Sequence, residues 1–370
     1  CVSGVNITII GGGIVGLAIG AALSENYNDI YILEKNWNVG LESSSHNSGV
    51  IHSGIHYPPG SLKAKLCVRG NSLIYDICEK NGIACRRTGK LTVSSWEDFS
   101  ELETLRKQGQ SNGVKGMKIL DSEEISEIEP LLKADFALFT PSSGIVDQDA
   151  LIHYFYSKFI NNGGTLITES LVSKIIKRDG VYEVSGTRKG GKFSFNSKAV
   201  INSAGLYSDK IAESVGIDVE SMGYRIRYCK GDYYRIEGKG PVSTLVYPLP
   251  GKDGLGIHLT PDISGTVRLG PNAYYVDKID YSVETDVSVF IKDVGRYMPS
   301  IEKYTLVPDY SGIRPKLEDK GTGFRDFVIE ECSELGYENF INLIGIESPG
   351  LTASPAIGEY VADLYSRIIA

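Results

Sequence analysis

The sequence predicts an α/β protein in which a domain built on a central parallel sheet is interrupted by an α+β domain with a mostly antiparallel sheet. Three observations carry this. Residues 5–34 read as strand, glycine turn, helix, strand; Tyr224 to Leu269 is crowded with short strand patterns and tyrosines; and the chain returns after Phe340 to a strand, a Gly-rich turn and a helix. At 370 residues the chain exceeds what one hydrophobic core usually serves, so two domains are expected.

Val5 to Ile10 reads as a buried parallel strand, because it is apolar on both faces. Gly11 to Gly16 turns it into a helix whose Ile14, Val15, Leu17, Ala18, Ala21, Ala22 and Leu23 form one broad apolar face. Asp29 to Glu34 is the second strand, and Glu42 to Gly60 a loop rich in Ser, Gly, His and Pro. A helix starts near Ser61, behind Pro58-Pro59-Gly60. Arg87 to Ser94 reads as a strand, Trp96 to Gln110 as a charged amphipathic helix, and Ser122 to Ile128 as a short acidic helix. Leu151 to Ile160 is helical and leads into a strand at Thr165 to Thr168. Val181 to Val184 and Lys192 to Phe195 form a hairpin around Gly186 to Gly191, and Ala199 to Gly205 is a separate apolar strand. Turns are expected at Gly238 to Gly240, Gly251 to Gly254 and Ser264-Gly265, then a strand at Phe340 to Ile344 and a final helix from Leu351 to Ile368.

Composition excludes several classes. A net charge of −8 offers no basic excess for nucleic acid, although an anionic substrate needs only a few local cations. No apolar run approaches the length needed to cross a bilayer, and no signal peptide is read. The six cysteines form no CxxC pair and no metal-ligand spacing with the five histidines, so a reduced, cytoplasmic setting without a bound metal is expected. Attachment at the membrane periphery stays open.

Gly11-x-Gly13-x-x-Gly16 stands between a strand and a helix, with an acid, Glu34, closing the next strand. Gly11 permits the tight turn, Gly13 lets backbone approach a pyrophosphate, and Gly16 lets helix and strand pack closely. The helix N-terminus supplies N–H groups and positive potential, and Glu34 can accept from ribose hydroxyls. The pattern predicts a Rossmann-like dinucleotide site, and the carboxylate disfavours a 2′-phosphate. A single copy at the start of the chain points to FAD reduced directly by substrate.

The run Ser44 to Gly70, containing Ser44-Ser-His-Asn-Ser-Gly-Val-Ile-His52-Ser-Gly-Ile-His56, resembles the L-2-hydroxyglutarate dehydrogenase/oxidase family within the D-amino-acid-oxidase-like FAD superfamily. Thr88-Gly-Lys-Leu91, Gly144-Ile-Val-Asp147, Ser203 to Ser208, Lys230-Gly-Asp-Tyr-Tyr234, Tyr247 to Pro250, Gly256 to Thr260, Leu269 to Asn272 and Gly312-Ile-Arg-Pro315 extend it over the chain. The ending Gly345 to Pro355 is similar to a shorter microbial branch. The resemblance implies an FAD-binding domain of residues 1–93, 140–222 and 325–370, and a substrate-binding domain of 94–139 and 223–324. It also implies that Gly11, Gly13, Ile14, Val15, Gly16, Glu34 and Lys35 contact FAD. Ser44, Ser45, His46, Asn47 and Ser48 would line its pyrophosphate and flavin edge, and His52 would pass the ring. Val172 would reach the adenine and Ala204-Gly205 the pyrophosphate, while Gly345, Gly350, Leu351 and Thr352 would aim N–H groups at flavin N1 and O2, where reduced flavin is negative.

Oxidising a 2-hydroxy acid needs a cation for the carboxylate, a base for the hydroxyl proton, and flavin N5 to take hydride. Arg314 is the choice for the carboxylate, its planar fork matching two oxygens. His258 is the first candidate base, with His52 and His56 competing from the loop; a histidine tether to FAD stays open. Lys230 is a candidate for a distal carboxylate, against a plain packing role beside Tyr233 and Tyr234. Lys63, Lys65 and Arg69 read as a solvated helix face. The function expected is oxidation of L-2-hydroxyglutarate to 2-oxoglutarate. Glycerol 3-phosphate or an amino acid are the other substrates considered, and a non-catalytic flavin protein the reading from another class. Oxygen, a quinone and a carrier protein are all open as electron acceptors.

Overall fold

The computed structural model describes residues 5–249, 256–317 and 323–369. The chain divides into two compact units: Cys1–Ser45, Gln148–Tyr228 and Arg314–Ala370 form one, His46–Asp147 and Cys229–Ile313 the other. The division differs from the sequence expectation chiefly in residues 46–93 and 140–147, which fall in the second unit. The reason is strand pairing. Lys90–Ser94 pairs with Phe136–Thr140 and Leu245–Pro248, and Val50–Ile51 and Cys85–Arg86 both pair with Gly144–Val146.

In the first unit Val5–Ile10 lies between Ile30–Leu33 and Gly191–Asn202, parallel to both, with Thr165–Ile167 parallel beyond Ile30–Leu33. Tyr337–Ile344 runs parallel to the end of Gly191–Asn202. The expected hairpin is present, but its second strand runs on into what was expected as a separate strand. The first half of that long strand pairs antiparallel with Val181–Arg188 and its second half parallel with Val5–Ile10, so residues 192–195 and 199–202 belong to one element. Strands with both faces covered read as near-continuous apolar runs, which is why Ile7, Ile9 and Ile10 show no alternation. The helices Ile14–Leu23 and Gly350–Ile369 fall where the apolar periodicity put them. The Val328–Cys332 strand, antiparallel to Tyr337–Ile344, is missed by a sequence reading because its glutamates break the apolar pattern.

The second unit has its own core, built on Leu91, Val93, Val246, Leu259, Leu269, Phe290 and Met298. Its sheet is antiparallel at most joints, as expected. The exception is where its two chain segments meet: Leu245–Pro248 runs parallel to Lys90–Ser94. The helix Leu62–Asn81 begins at the expected residue, the Ser61 hydroxyl accepting from Ala64 N–H at 3.1 Å and Gly82 closing it at φ 65°. Two of the three helical cations, Lys65 and Arg69, are exposed as expected, but Lys63 is buried. The amphipathic helix starts at Phe99 rather than Trp96, whose ring instead packs edge-on against Phe136 at 4.5 Å. His258 precedes the Leu259–Pro261 strand rather than lying inside one. Pro250 and the turn expected at Gly251 to Gly254 lie outside the described residues.

Candidate active site

The first unit builds a cradle from backbone. A Cβ on Gly16 would stand 2.0 Å from Gly11 O and 2.8 Å from Ser203 Oγ, so helix and strand approach as only glycine allows. Gly11 takes φ +105°, and a Cβ there would meet Ser203 O at 2.6 Å. The helix starts at Gly13 with no side-chain cap; its first residue, Ile14, donates its N–H to Ser44 Oγ at 3.0 Å. Val15 and Gly16 follow in that first turn, where backbone donors point off the helix end.

Glu34 is 6% exposed, and its carboxylate accepts from Gly12 N–H at 2.8 Å and Asn36 N–H at 2.7 Å. The acid therefore fixes the glycine turn as well as offering its remaining lone pairs. Lys35 is ion-paired with Glu42 and sits 4.8 Å from the Tyr207 ring centre. Ser45 is held by Glu42 and by Gln148, whose amide donates to Ser45 O at 2.9 Å. Ala204 N–H donates to Asn202 Oδ1 at 3.3 Å, and Gly205 follows at φ +54°. Gly345 turns at φ +70° ahead of the helix that carries Gly350, Leu351 and the fully buried Thr352. Val172 is a core side chain beside a strand irregularity, so its backbone is what it could present. A turn closed to any Cβ, a helix start and a buried carboxylate fit a dinucleotide.

The second unit begins where the chain passes from Ser45 to His46, which separates the expected cofactor residues: His46, Asn47, Ser48 and His52 belong here. Aromatic side chains hold this stretch. His46 stacks on Tyr281 at 4.2 Å, Ser48 Oγ and Tyr233 OH are 2.9 Å apart, and the Tyr310 hydroxyl donates to Asn47 O. Gly312 explains its place in the Gly-Ile-Arg-Pro motif, since a Cβ would meet His46 O at 2.3 Å. Farther along, Asn71 donates to His52 O at 2.9 Å, Gln108 to Ile55 O at 2.8 Å, and Asn112 to Gly54 O and Tyr57 O at 2.9 and 2.8 Å. Two helices thus pin the loop that carries His52 and His56.

Those imidazoles meet a group absent from the sequence candidates. Lys90, 1% exposed, places Nζ 2.9 Å from His56 Nε2 and 5.0 Å from the centre of the Tyr247 ring. Tyr247 in turn stacks on His258 at 3.5 Å with 9° between the planes. Burial pushes His52 down to about 3, with the Lys90 charge adding to the effect. His56 is held well below the ordinary imidazole value by burial, then by Lys90, His52 and His258. Burial likewise lowers Lys90 to about 7. At neutral pH both loop imidazoles are uncharged and able to accept a proton.

Lys90 was legible only as the lysine of the Thr88-Gly-Lys-Leu91 stretch, on the strand Lys90-Leu-Thr-Val-Ser94, in which every residue is buried. The two other cationic candidates are Lys230 and Arg314. Lys230 is buried, its ammonium 3.4 Å from the exposed Glu284 and 5.9 Å from the Tyr274 ring centre, and its Nζ has no hydrogen-bond partner among the described residues. Arg314 is half-buried near the end of the Leu306–Lys316 strand and belongs to the first unit. Among the described residues no metal-binding group of His, Cys, Asp and Glu occurs, and no helix is long and apolar enough to cross a membrane.

The family model of DAO, FAD dependent oxidoreductase, matches residues 6–364. The mitochondrial L-2-hydroxyglutarate dehydrogenase of Arabidopsis thaliana is 33% identical, over 98% of this chain and 84% of that protein. A glycerol 3-phosphate dehydrogenase of Caloramator mitchellensis is 30% identical, over 98% of this chain and 74% of that one. Among solved structures, the dithionite-reduced L-alpha-glycerophosphate oxidase of Mycoplasma pneumoniae with FAD bound aligns at a TM-score of 0.84 and 27% identity, covering 98% of this chain and 94% of that one. With its glycine cradle, its buried carboxylate and this likeness over nearly the whole length, the chain belongs to the DAO family of FAD-dependent oxidoreductases.

Proposed function

We propose that the protein oxidises L-2-hydroxyglutarate to 2-oxoglutarate. The observation that carries this reading is a buried cluster in which His52 and His258 act on His56 and both loop imidazoles are uncharged where a hydroxyl proton must be accepted. The Arabidopsis relative's name supports the substrate. FAD, when bound, supplies the acceptor for the hydride that leaves C2.

The chain's own residues divide the remaining tasks. Gly11, Gly13, Ile14, Val15 and Gly16 hold the pyrophosphate with Ala204 and Gly205; Glu34 and Lys35 serve the ribose end, and Val172 the adenine. Ser44 to Ser48 and His52 line the flavin edge, and Gly345, Gly350, Leu351 and Thr352 face its N1 and O2. Arg314 takes the C1 carboxylate. His56 accepts the hydroxyl proton in place of His258, the first choice from sequence, because it is the imidazole acted on by the other two and by Lys90. His258, flat against Tyr247, forms a wall of the site. Lys230, buried and with no hydrogen-bond partner for its ammonium among the described residues, stays the candidate for a distal carboxylate beside Glu284. A reducing compartment such as the cytoplasm suits the free thiols of Cys67, Cys78, Cys85, Cys229 and Cys332.

The test is anaerobic mixing of the yellow protein with L-2-hydroxyglutarate, its D isomer, glycerol 3-phosphate and a set of amino acids. Bleaching of the flavin band by L-2-hydroxyglutarate is the expected outcome. Bleaching by glycerol 3-phosphate alone, the reaction named for the Caloramator relative, would overturn the substrate.

A further inference from the structure

We propose that Lys90 is the resting place of the substrate proton, received through His56. The inference rests on His56 as the proton acceptor and adds a second member to the path. Lys90 is 1% exposed, on a strand whose residues are all buried, so it has no role at the surface. Its Nζ faces His56 Nε2 at 2.9 Å. The titratable and charged groups around it are His56 and His52 on the loop, Cys67 on the Leu62–Asn81 helix and Tyr247 on the neighbouring strand, with His258 beyond Tyr247. None of these is a carboxylate that would hold the ammonium charged.

An imidazole passes protons by exchanging tautomers. A proton that arrives at His56 Nδ1 is matched by release of the Nε2 proton, and the neighbour at Nε2 is the Lys90 amine. The substrate O–H bond breaks as an N–H bond forms at Nδ1, and the Nε2–H bond breaks as one forms at Nζ. His56 ends neutral and Lys90 ends as an ammonium. The hydride of the same reaction leaves to FAD, so proton and electrons are both accounted for. After product leaves, the reverse exchange returns the proton through His56. Burial leaves Lys90 able to be neutral near pH 7, whereas His52 and His56 are too weakly basic to hold a proton there for long. Lys90 acts through His56 and is a positioning and proton-holding residue rather than one that touches substrate.

The decisive experiment is a pH titration of the resting holoenzyme, labelled with nitrogen-15 histidine and followed by NMR; five histidines make assignment tractable. The expected result is a His56 tautomer and shift change centred near pH 7 that is absent in Lys90→Met. A His56 signal that stays flat from pH 5.5 to 9 in the wild type, both limits being about two units around the Lys90 value, overturns the proposal. No substrate is added, so a wrong substrate assignment leaves this readout untouched. In turnover, Lys90→Met is expected to lose on the order of 100-fold in kcat. Its acid limb near pH 7 should vanish, and Lys90→Arg, which cannot become neutral, should not restore the rate. A Lys90→Met enzyme that keeps the acid limb and is merely scaled in rate contradicts the proposal.

Discussion

The glycine cradle of the first unit and the histidine–lysine cluster of the second reach function by opposite routes. The cradle is local: Gly11, Gly13 and Gly16 shape backbone within one turn, and the side chain that steadies them, Glu34, closes the next strand. The cluster is assembled from distant segments, with His52 and His56 on a loop, Lys90 and Tyr247 on paired strands, and His258 beside another. The first works by leaving atoms out, and the second by burying charge-bearing atoms where water cannot serve them. A backbone device should fail by steric clash, and a buried titratable device should fail with pH.

The largest expected effect sharpens that contrast. The amine of Lys90 titrates at about 7 in the fold and at 10.5 when unfolded. Between those values unfolding takes up a proton, so stability rises with pH through that window, and below about 7 the full penalty of a buried ammonium is present. Wild type minus Lys90→Met, measured by denaturant unfolding at pH 7 and above pH 9, should therefore change by about 2–4 kcal/mol in favour of wild type at the higher pH. A pH-independent difference would mean that Lys90 is not a buried titrating amine.

Gly16→Ala comes next. Its Cβ would stand 2.0 Å from Gly11 O, and relief of that overlap should displace the turn at a cost of about 1–3 kcal/mol in FAD affinity. Flavin fluorescence titration reads it, with no pH dependence expected between about 6 and 9, a range of about three units that brackets neutrality. Asn112→Ala removes two amide hydrogen bonds to the loop backbone at Gly54 and Tyr57, and should cost about 1–2 kcal/mol. It should lower kcat while FAD content holds. The smallest effect belongs to Tyr247→Leu, which trades a flat stack on His258 for an aliphatic contact and should cost about 1 kcal/mol in thermal unfolding.

The same contrast explains what the sequence disclosed. Gly11 to Gly16 with Glu34 was readable because strand, turn, helix and acid are consecutive, each with its own local signature. The helix cap at Ser61 and the acidic helix at Ser122 were readable for the same reason. Lys90 was not, because its meaning comes from a parallel pairing with Leu245–Pro248 far along the chain, and pairing across such distance leaves no periodic trace. The long Gly191–Asn202 strand was divided on paper because its first half alternates, as a half-exposed strand does, and its second half is apolar throughout. Lys230 shows the other limit: a lysine beside tyrosines fits a ligand and a packed side chain alike on paper, and the Glu284 that stands 3.4 Å from it lies on a distant loop.

The central claim is that FAD retention and proton acceptance are served by different residues, and His56→Gln tests it most directly. The variant is to be purified, its flavin measured per chain, and its anaerobic reduction by L-2-hydroxyglutarate followed in a stopped-flow instrument. The account expects wild-type flavin content and a rate of bleaching lower on the order of 100-fold. Bleaching at the wild-type rate, or loss of flavin in step with activity, would contradict it.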